Sequence, residues 1–331
     1  MFFSIIIPLY NRPNEIHELL LSLVQQNYTD FEVIIVEDGS RIKAEDIVNA
    51  FVDRLQVRYF VKQNEGQGFA RNYGFEQAKG DFFIVLDSDV IVPADYLTNV
   101  RNGLQQHKWD AFGGPDSAHN SFTTLQKAIS YSMTSPLTTG GIRGNKKHVG
   151  VFHPRSFNMG ISRKVWQTTN GFKLSRRSED IEFSIRMIAS GFRVGLIPEA
   201  FVYHKRRSTL SQFFSQTYQF GKGRIDIYQL YPKELKWVHA LPAIFLIGLG
   251  IVGMLTIFNL LTYGGVYFFV ALANVAYFIL AVYTTALFAD ALRTTKNIGV
   301  SLKAVAAGYV QLIAYGAGFI QQYMDKIWFK K

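Results

Sequence analysis

Asp81-Phe82-Phe83-Ile84-Val85-Leu86-Asp87-Ser88-Asp89 is the stretch on which the fold of this chain turns. A short, near-continuous apolar run predicts a strand buried on both faces. It stops at two carboxylates one residue apart and continues into Val90-Ile91-Val92-Pro93. On extended backbone, residues i and i+2 point to the same side. Asp87 and Asp89 can therefore offer oxygens to one hard cation at the carboxyl edge of a sheet, where open α/β folds bind ligands. A strand that simply ends in turn-forming aspartates has the same pattern. The pair alone does not choose between them.

Upstream, Phe2 to Pro8 predicts a first buried strand, with Leu9-Tyr10-Asn11-Arg12 as a turn and Pro13 opening a helix. Ile16, Leu19, Leu20, Leu23 and Val24 recur at helical spacing. A second strand, Phe31 to Val36, runs into Glu37-Asp38-Gly39-Ser40. The next helix carries Ile47, Val48, Phe51, Val52 and Leu55, and Val57 to Val61 is a third strand. Strands alternating with helices predict a parallel, doubly wound sheet. At its strand ends, Tyr10 is suited to stack on a base and Asp38 to accept from a base imide. Gly66 and Gly68 precede a helix bearing Arg71, a place suited to a nucleotide or its phosphates. Their spacing matches neither the dinucleotide fingerprint nor a P-loop, which argues against a redox Rossmann domain and a P-loop NTPase. Ordinary βα turns remain the plain alternative.

Downstream, Leu97, Val100 and Leu104 predict a helix, and Trp109 to Phe112 a strand. From Asp116 to Gly150 the patterning fades into Ser, Thr, Gly and the basic run Arg143 to His148, as in a binding loop. Phe157 to Lys164 predicts a strand leading into a short helix. Ser178 is the expected N-cap of a further helix, with Ile181, Ile185 and Ile188 on its buried face. Glu179 and Glu182 read as complements of that helix's dipole. Asp180, at a helix start near a charged ligand, suits a general base. Val202-Tyr203-His204 ends a strand, where His204 is either structural or a ligand. Phe213 to Arg224 is helical and closes on Gly221-Lys222-Gly223-Arg224.

In this order the motifs resemble the family 2 glycosyltransferases, inverting enzymes of the GT-A fold, over roughly residues 3–224. The anchors are Ile7 to Arg12, Val36 to Ser40, Gly66 to Asn72, Asp87-Ser88-Asp89, Asn158-Met159, Ser178-Glu179-Asp180 and His204. The resemblance implies that Asp38 and Arg71 contact the base of a nucleotide sugar and that Tyr10 walls its pocket. It implies Asp87 near the ribose, Asp89 on the divalent metal (Mn²⁺ or Mg²⁺) of the diphosphate, Asp180 as catalytic base, and His204 assisting the metal. Pro8, Asn11, Gly68, Ser88, Lys222 and Arg224 are expected on the donor-binding side as well. Glu37 stands where the family often has an aspartate. Gln219 to Arg224 lacks the Gln-x-x-Arg-Trp motif of processive synthases, so a single sugar addition is expected.

The chain of 331 residues has no cysteine, which excludes disulfides and thiolate metal sites. Its net charge of +10 fits an anionic ligand, an anionic membrane surface or nucleic acid. Nucleic acid is disfavoured because the basic residues are not interleaved with aromatics. Leu241 to Leu261 and Gly264 to Ala289 are free of charge and long enough to cross a bilayer, which takes ~20 apolar residues. A short link near Thr262 to Gly265 makes them a hairpin. Val300 to Gln321, with Lys303 and Gln311, is expected to span, re-enter or lie at the interface. Lys233 and Lys236 before the hairpin, and Arg293, Lys296 and Lys303 after it, keep both ends cytoplasmic. Phe2 to Pro8 is too short for the apolar core of a cleavable signal. The expected division is a catalytic domain over 1–230 and a membrane region over 231–331, in the cytoplasmic membrane. The rival activities are transfer to a polyprenyl phosphate and, in another class, non-catalytic nucleotide binding.

Overall fold

The computed structural model describes residues 1–139, 152–263 and 267–329. The basic run at 143–148 and half of the expected hairpin link, 264–265, lie outside them. Two compact units emerge: a sheet unit of 1–120 and 144–205, and a helical unit of 121–143 and 206–331.

The sheet unit begins as its apolar periodicity predicts. Strand β1 (Phe3–Leu9) is followed by α1 (Pro13–Val24), β2 (Phe31–Asp38), α2 (Glu45–Asn49), β3 (Val57–Lys62), α3 (Gln67–Gln77) and β4 (Phe82–Leu86). β1 pairs in parallel with β2 and β4, and β2 with β3. Alternate residues of each strand enter different cores, because successive side chains point to opposite faces. Ile5, Ile7, Val33, Ile35, Ile84 and Leu86 pack on one face. Ile6, Ile34, Val36, Phe83 and Val85 pack on the other, with Phe75 of α3. The second helix is shorter than its apolar stripe predicts: it ends at Asn49, and Val52 is exposed.

After β5 (Val90–Ile91) and α4 (Tyr96–His107) come β6 (Ala111–Gly113) and β7 (Asp116–Ser117). Past the helical unit's α5 (Thr124–Thr134) and α6 (Pro136–Thr139), the chain returns as β8 (Asn158–Ser162), α7 (Arg163–Thr169), α8 (Glu179–Ala189), β9 (Val194–Leu196) and β10 (Val202–His204). The main sheet has the order β3-β2-β1-β4-β8-β6-β9. It is mixed rather than all-parallel, because β8 runs antiparallel to both β4 and β6. The long excursion before β8 leaves the sheet unit, so β8 is not bound to the crossover geometry of a βαβ repeat. A small second sheet, β5-β10-β7, carries His204 beside Val90.

Segment 116–150 is not wholly irregular. α5 starts in a capping box, with the Thr123 side chain on Gln126 N and Gln126 Oε1 on Thr123 N. It groups with α9 (Leu210–Leu230), α10 (Leu241–Leu261), α11 (Tyr267–Thr295) and α12 (Ile298–Tyr323). α12 packs against α5, α9, α10 and α11, and buries Ala304, Ala307, Gly308, Ala314, Gly316 and Gly318. α10 buries only Ala243 and leaves Ile244, Ile247, Ile251 and Leu260 exposed, as on a helix with one side in lipid. Among the described residues, three helices are long and apolar enough to cross a membrane. The helical unit holds 14 of the 35 Lys and Arg but 4 of the 25 Asp and Glu, so the net +10 belongs to it alone.

Candidate active site

The carboxyl ends of β1, β2 and β4 bring Tyr10, Asp38 and Asp87 to one edge of the sheet. Asp87, Asp89 and His204 converge there: one ligand atom from each lies within 4.8 Å of the others. The small sheet makes this possible by pairing β10 with the strand that follows Asp89.

Asp89 is the most constrained member. Arg12 donates to its Oδ2, and His204 Nε2 stands 3.3 Å from its Oδ1. Oδ1 is buried and has no hydrogen bond. Burial works to raise this carboxyl, but His204 and Arg12 more than offset it and hold it well below the usual carboxylate range. Two carboxylates and one imidazole suit a hard or borderline divalent cation. A buried oxygen without a hydrogen bond is the group such a cation would complete.

Asp87 Oδ1 accepts from Arg71 at 2.7 Å, and the other arm of the same guanidinium donates to Glu179 Oε1 at 2.9 Å. Arg71 is fully buried, so its side chain meets these carboxylates and not solvent. Glu179 is buried as well. Burial and the neighbouring Asp180 push it up, to about 7, with partial relief from Arg71. Asp180 opens α8, where its Oδ1 accepts from Ile181 N at 2.8 Å and Arg155 stands 3.7 Å from its Oδ2. Ser178 does sit before this helix, yet in a left-handed conformation and with no side-chain cap. The buried face of α8 runs through Glu182, Phe183, Ile185 and Met187, whereas Ile181 and Ile188 are half-buried. Glu182 grips Arg186, which also reaches Thr169 O and Gly171 O.

Asp38 is buried and ties down the loop ahead of α3. It accepts from Gly66 N at 2.8 Å, Glu65 N at 3.0 Å and Lys62 Nζ at 3.2 Å. Gly68 makes its close backbone approach with the chain itself: its N–H donates to Ser175 O at 2.8 Å. Tyr10 is half exposed, and Pro8 is partly buried within β1. Asn11 takes φ +52, donates its N–H to Ser40 Oγ at 2.7 Å and accepts from Arg41 N at 2.8 Å. Glu37 closes the same loop, accepting from Tyr59 OH at 2.8 Å and Ala44 N at 3.1 Å. Ser88 is buried between the two aspartates. Lys222 and Arg224 lie on α9 in the helical unit, with Lys222 Nζ 5.4 Å over the Tyr218 ring.

Three groups at the site escape sequence reasoning. Arg12 sits in the turn after β1, and only tertiary pairing turns it onto Asp89. Arg155 follows a stretch with no periodic signal. Glu179 looks like a dipole complement but is a buried partner of Arg71.

Residues 4–168 match the family described as Glycosyl transferase family 2. An uncharacterized glycosyltransferase of Haemophilus influenzae is 37% identical over 31% of this chain and 42% of its own length. The first curated relatives are matched over less than half of their length. A dolichyl N-acetyl-α-D-glucosaminyl phosphate 3-β-D-2,3-diacetamido-2,3-dideoxy-β-D-glucuronosyltransferase of Methanococcus voltae is 25% identical over 70% of this chain and 78% of its own. In fold, a mannosyltransferase from Pyrobaculum calidifontis, solved with GDP-Man and Mn²⁺, covers 93% of this chain and 86% of its own, with a TM-score of 0.59 at 16% identity. Built on a mixed sheet of the GT-A kind and followed by three long apolar helices, this chain belongs through residues 4–168 to glycosyl transferase family 2.

Proposed function

We propose that the protein is a membrane-anchored, metal-dependent inverting glycosyltransferase. It moves one sugar from a nucleotide-diphosphate sugar to a hydroxyl acceptor, in cell-envelope glycan or lipid-linked saccharide assembly. The observation that carries this is the Asp87–Asp89–His204 group with its unbonded Asp89 oxygen, linked through Arg71 to the start of the helix that bears Asp180. Asp87, Asp89 and His204 would hold Mn²⁺ or Mg²⁺, which when bound neutralises charge on the departing diphosphate. Asp180 takes the acceptor proton as the acceptor oxygen attacks the anomeric carbon from the face opposite the leaving group. The bond to the nucleoside diphosphate breaks in the same displacement, so the configuration inverts.

A nucleotide-sugar donor and a divalent metal are supported by the GDP-Man and Mn²⁺ bound to the fold neighbour. A lipid-linked acceptor is supported by the dolichyl phosphate sugar named for the archaeal relative. Tyr10, Asp38 and Ser88 are proposed on the donor side, with Pro8 and Asn11 shaping the turn beneath. The cytoplasmic membrane, with the sheet unit in the cytoplasm, is supported by the basic flanks of α10 and α11.

The second candidate acceptor is a polyprenyl phosphate, and Arg155 beside Asp180 favours it as a cation able to receive a phosphate. Incubating the purified protein with a panel of nucleotide sugars, acceptors of both kinds and Mn²⁺ tests the assignment. Nucleoside diphosphate release that depends on the acceptor is expected. Donor binding without turnover on any donor would reduce the protein to a nucleotide-binding membrane protein.

A further inference from the structure

One face of α3 is given over to the segment that leads into α8. Gly66, just ahead of the helix, has φ +104, and a Cβ there would stand 2.7 Å from Ser175 O. A Cβ on Gly68 would stand 2.2 Å from Leu174 O. Only glycine lets two backbones approach so closely. Asn72 grips Phe172 twice, donating to its carbonyl and accepting from its N–H, both at 2.8 Å. Gln67 donates to Arg176 O at 3.3 Å and to Glu179 Oε1. Arg71 lies 5.3 Å from the Phe172 ring and splits its fork between Glu179 and Asp87.

We propose that this face of α3 is a positioning element, which aims Asp180 relative to the end of β4 where Asp87 stands. Arg71 and Asn72 are its positioning residues. The proposal rests on the assignment of Asp180 as base and Asp87 to the donor side. α8 has no side-chain cap of its own, so the start of the helix is set by what grips segment 171–179. The planar guanidinium fixes two directions at once, which an ammonium cannot do. Fully buried itself, it links the partly exposed Asp87 to the buried Glu179, the residue before the base. The two glycines thus serve the base-bearing segment, and the phosphates of the donor are left to other groups.

A displaced reacting group costs about 10²-fold in rate when the shift is of order 1 Å. In the full-length protein, Asn72→Ala is expected to lower turnover by up to about that factor. Donor affinity by calorimetry should stay within about two-fold, since Asn72 touches no part of the proposed donor site. In an Asp180→Asn background, Asn72→Ala should cost nothing further, because no base is left to aim. Gln67→Ala, at an exposed position whose loss cannot unfold the domain, should follow the same pattern with a smaller loss. An equal loss in both backgrounds, or a rate that falls in step with donor affinity for both variants, overturns the positioning role. Full activity of Asp180→Asn by itself instead removes the base assignment beneath it.

Discussion

His204 Nε2 lies 3.3 Å from Asp89 Oδ1, while Arg12 holds the other oxygen of the same carboxylate. The three residues come from the end of β10, the turn after β4 and the turn after β1. Asp89 is thus kept ionised and oriented with one oxygen left for a cation. Asp89→Ala is expected to abolish transfer, as is an excess of chelator, with Mn²⁺ or Mg²⁺ restoring the chelated enzyme but not the variant. His204→Ala should weaken metal affinity and be partly rescued by more metal. Undiminished turnover in excess chelator, followed by nucleoside diphosphate release, takes the metal out of the mechanism.

Asp180→Asn decides which reaction this is. The variant keeps the shape of the side chain and its bond to Ile181 N, but cannot accept a proton. Transfer to a hydroxyl should fall by roughly 10²–10⁴, with donor affinity within a few-fold. Glu182→Gln should be much milder in rate, because Glu182 faces Arg186 and not the site, and should show instead as lower thermal stability. Rates and donor calorimetry on both variants make the check. Full activity of Asp180→Asn with a polyprenyl phosphate acceptor would favour that acceptor, which has no proton to remove.

Glu179 makes stability depend on pH. Its carboxyl is raised from 4.5 to about 7 by burial and by Asp180. Between those values the folded protein holds a proton that the unfolded chain has released. Stability contributed below 4.5 is therefore lost as pH rises towards 7, and the loss levels off above it. Thermal midpoints measured across this window should fall more steeply for the wild type than for Glu179→Gln. Parallel slopes for the two proteins would show that Glu179 is ionised throughout.

Topology follows from the charges around α10 and α11. Reporters fused after Trp237 and at about Lys296 are both expected to report cytoplasm, with the tip between the helices on the far side. Glycosylation or protease mapping checks this. A tip reporter in the cytoplasm would make α10 and α11 a hairpin that enters the membrane without crossing it.

Sequence alone determined the parts of this protein whose physics is local. Apolar periodicity placed β1 through β4 to within one or two residues and the charge-free helix α10 to the residue, because a strand buried on both faces and a helix in lipid each demand an unbroken apolar run. The Asp-x-Asp pair was legible as the point where the apolar run of β4 stops, but both carboxylates stand in the turn that follows, where Val90 N donates to Asp87 O at 3.3 Å, so strand alternation does not set their direction. Even α5 had a local sign in Thr123 and Gln126, at the spacing of a capping box, although the polar surroundings hid it. Only the tertiary structure decided the rest. The antiparallel entry of β8 depends on a chain excursion that no periodicity records. The place of His204 beside Asp89 depends on β10 pairing with β5. Arg71 and Glu179 show the limit most clearly. An arginine near a helix start reads as a ligand-facing group and a glutamate at a helix start as a dipole complement, and their burial against each other appears only once segment 171–179 is laid on α3. Partners distant in sequence set the charge state and direction of such groups, and no local pattern encodes which partner will arrive.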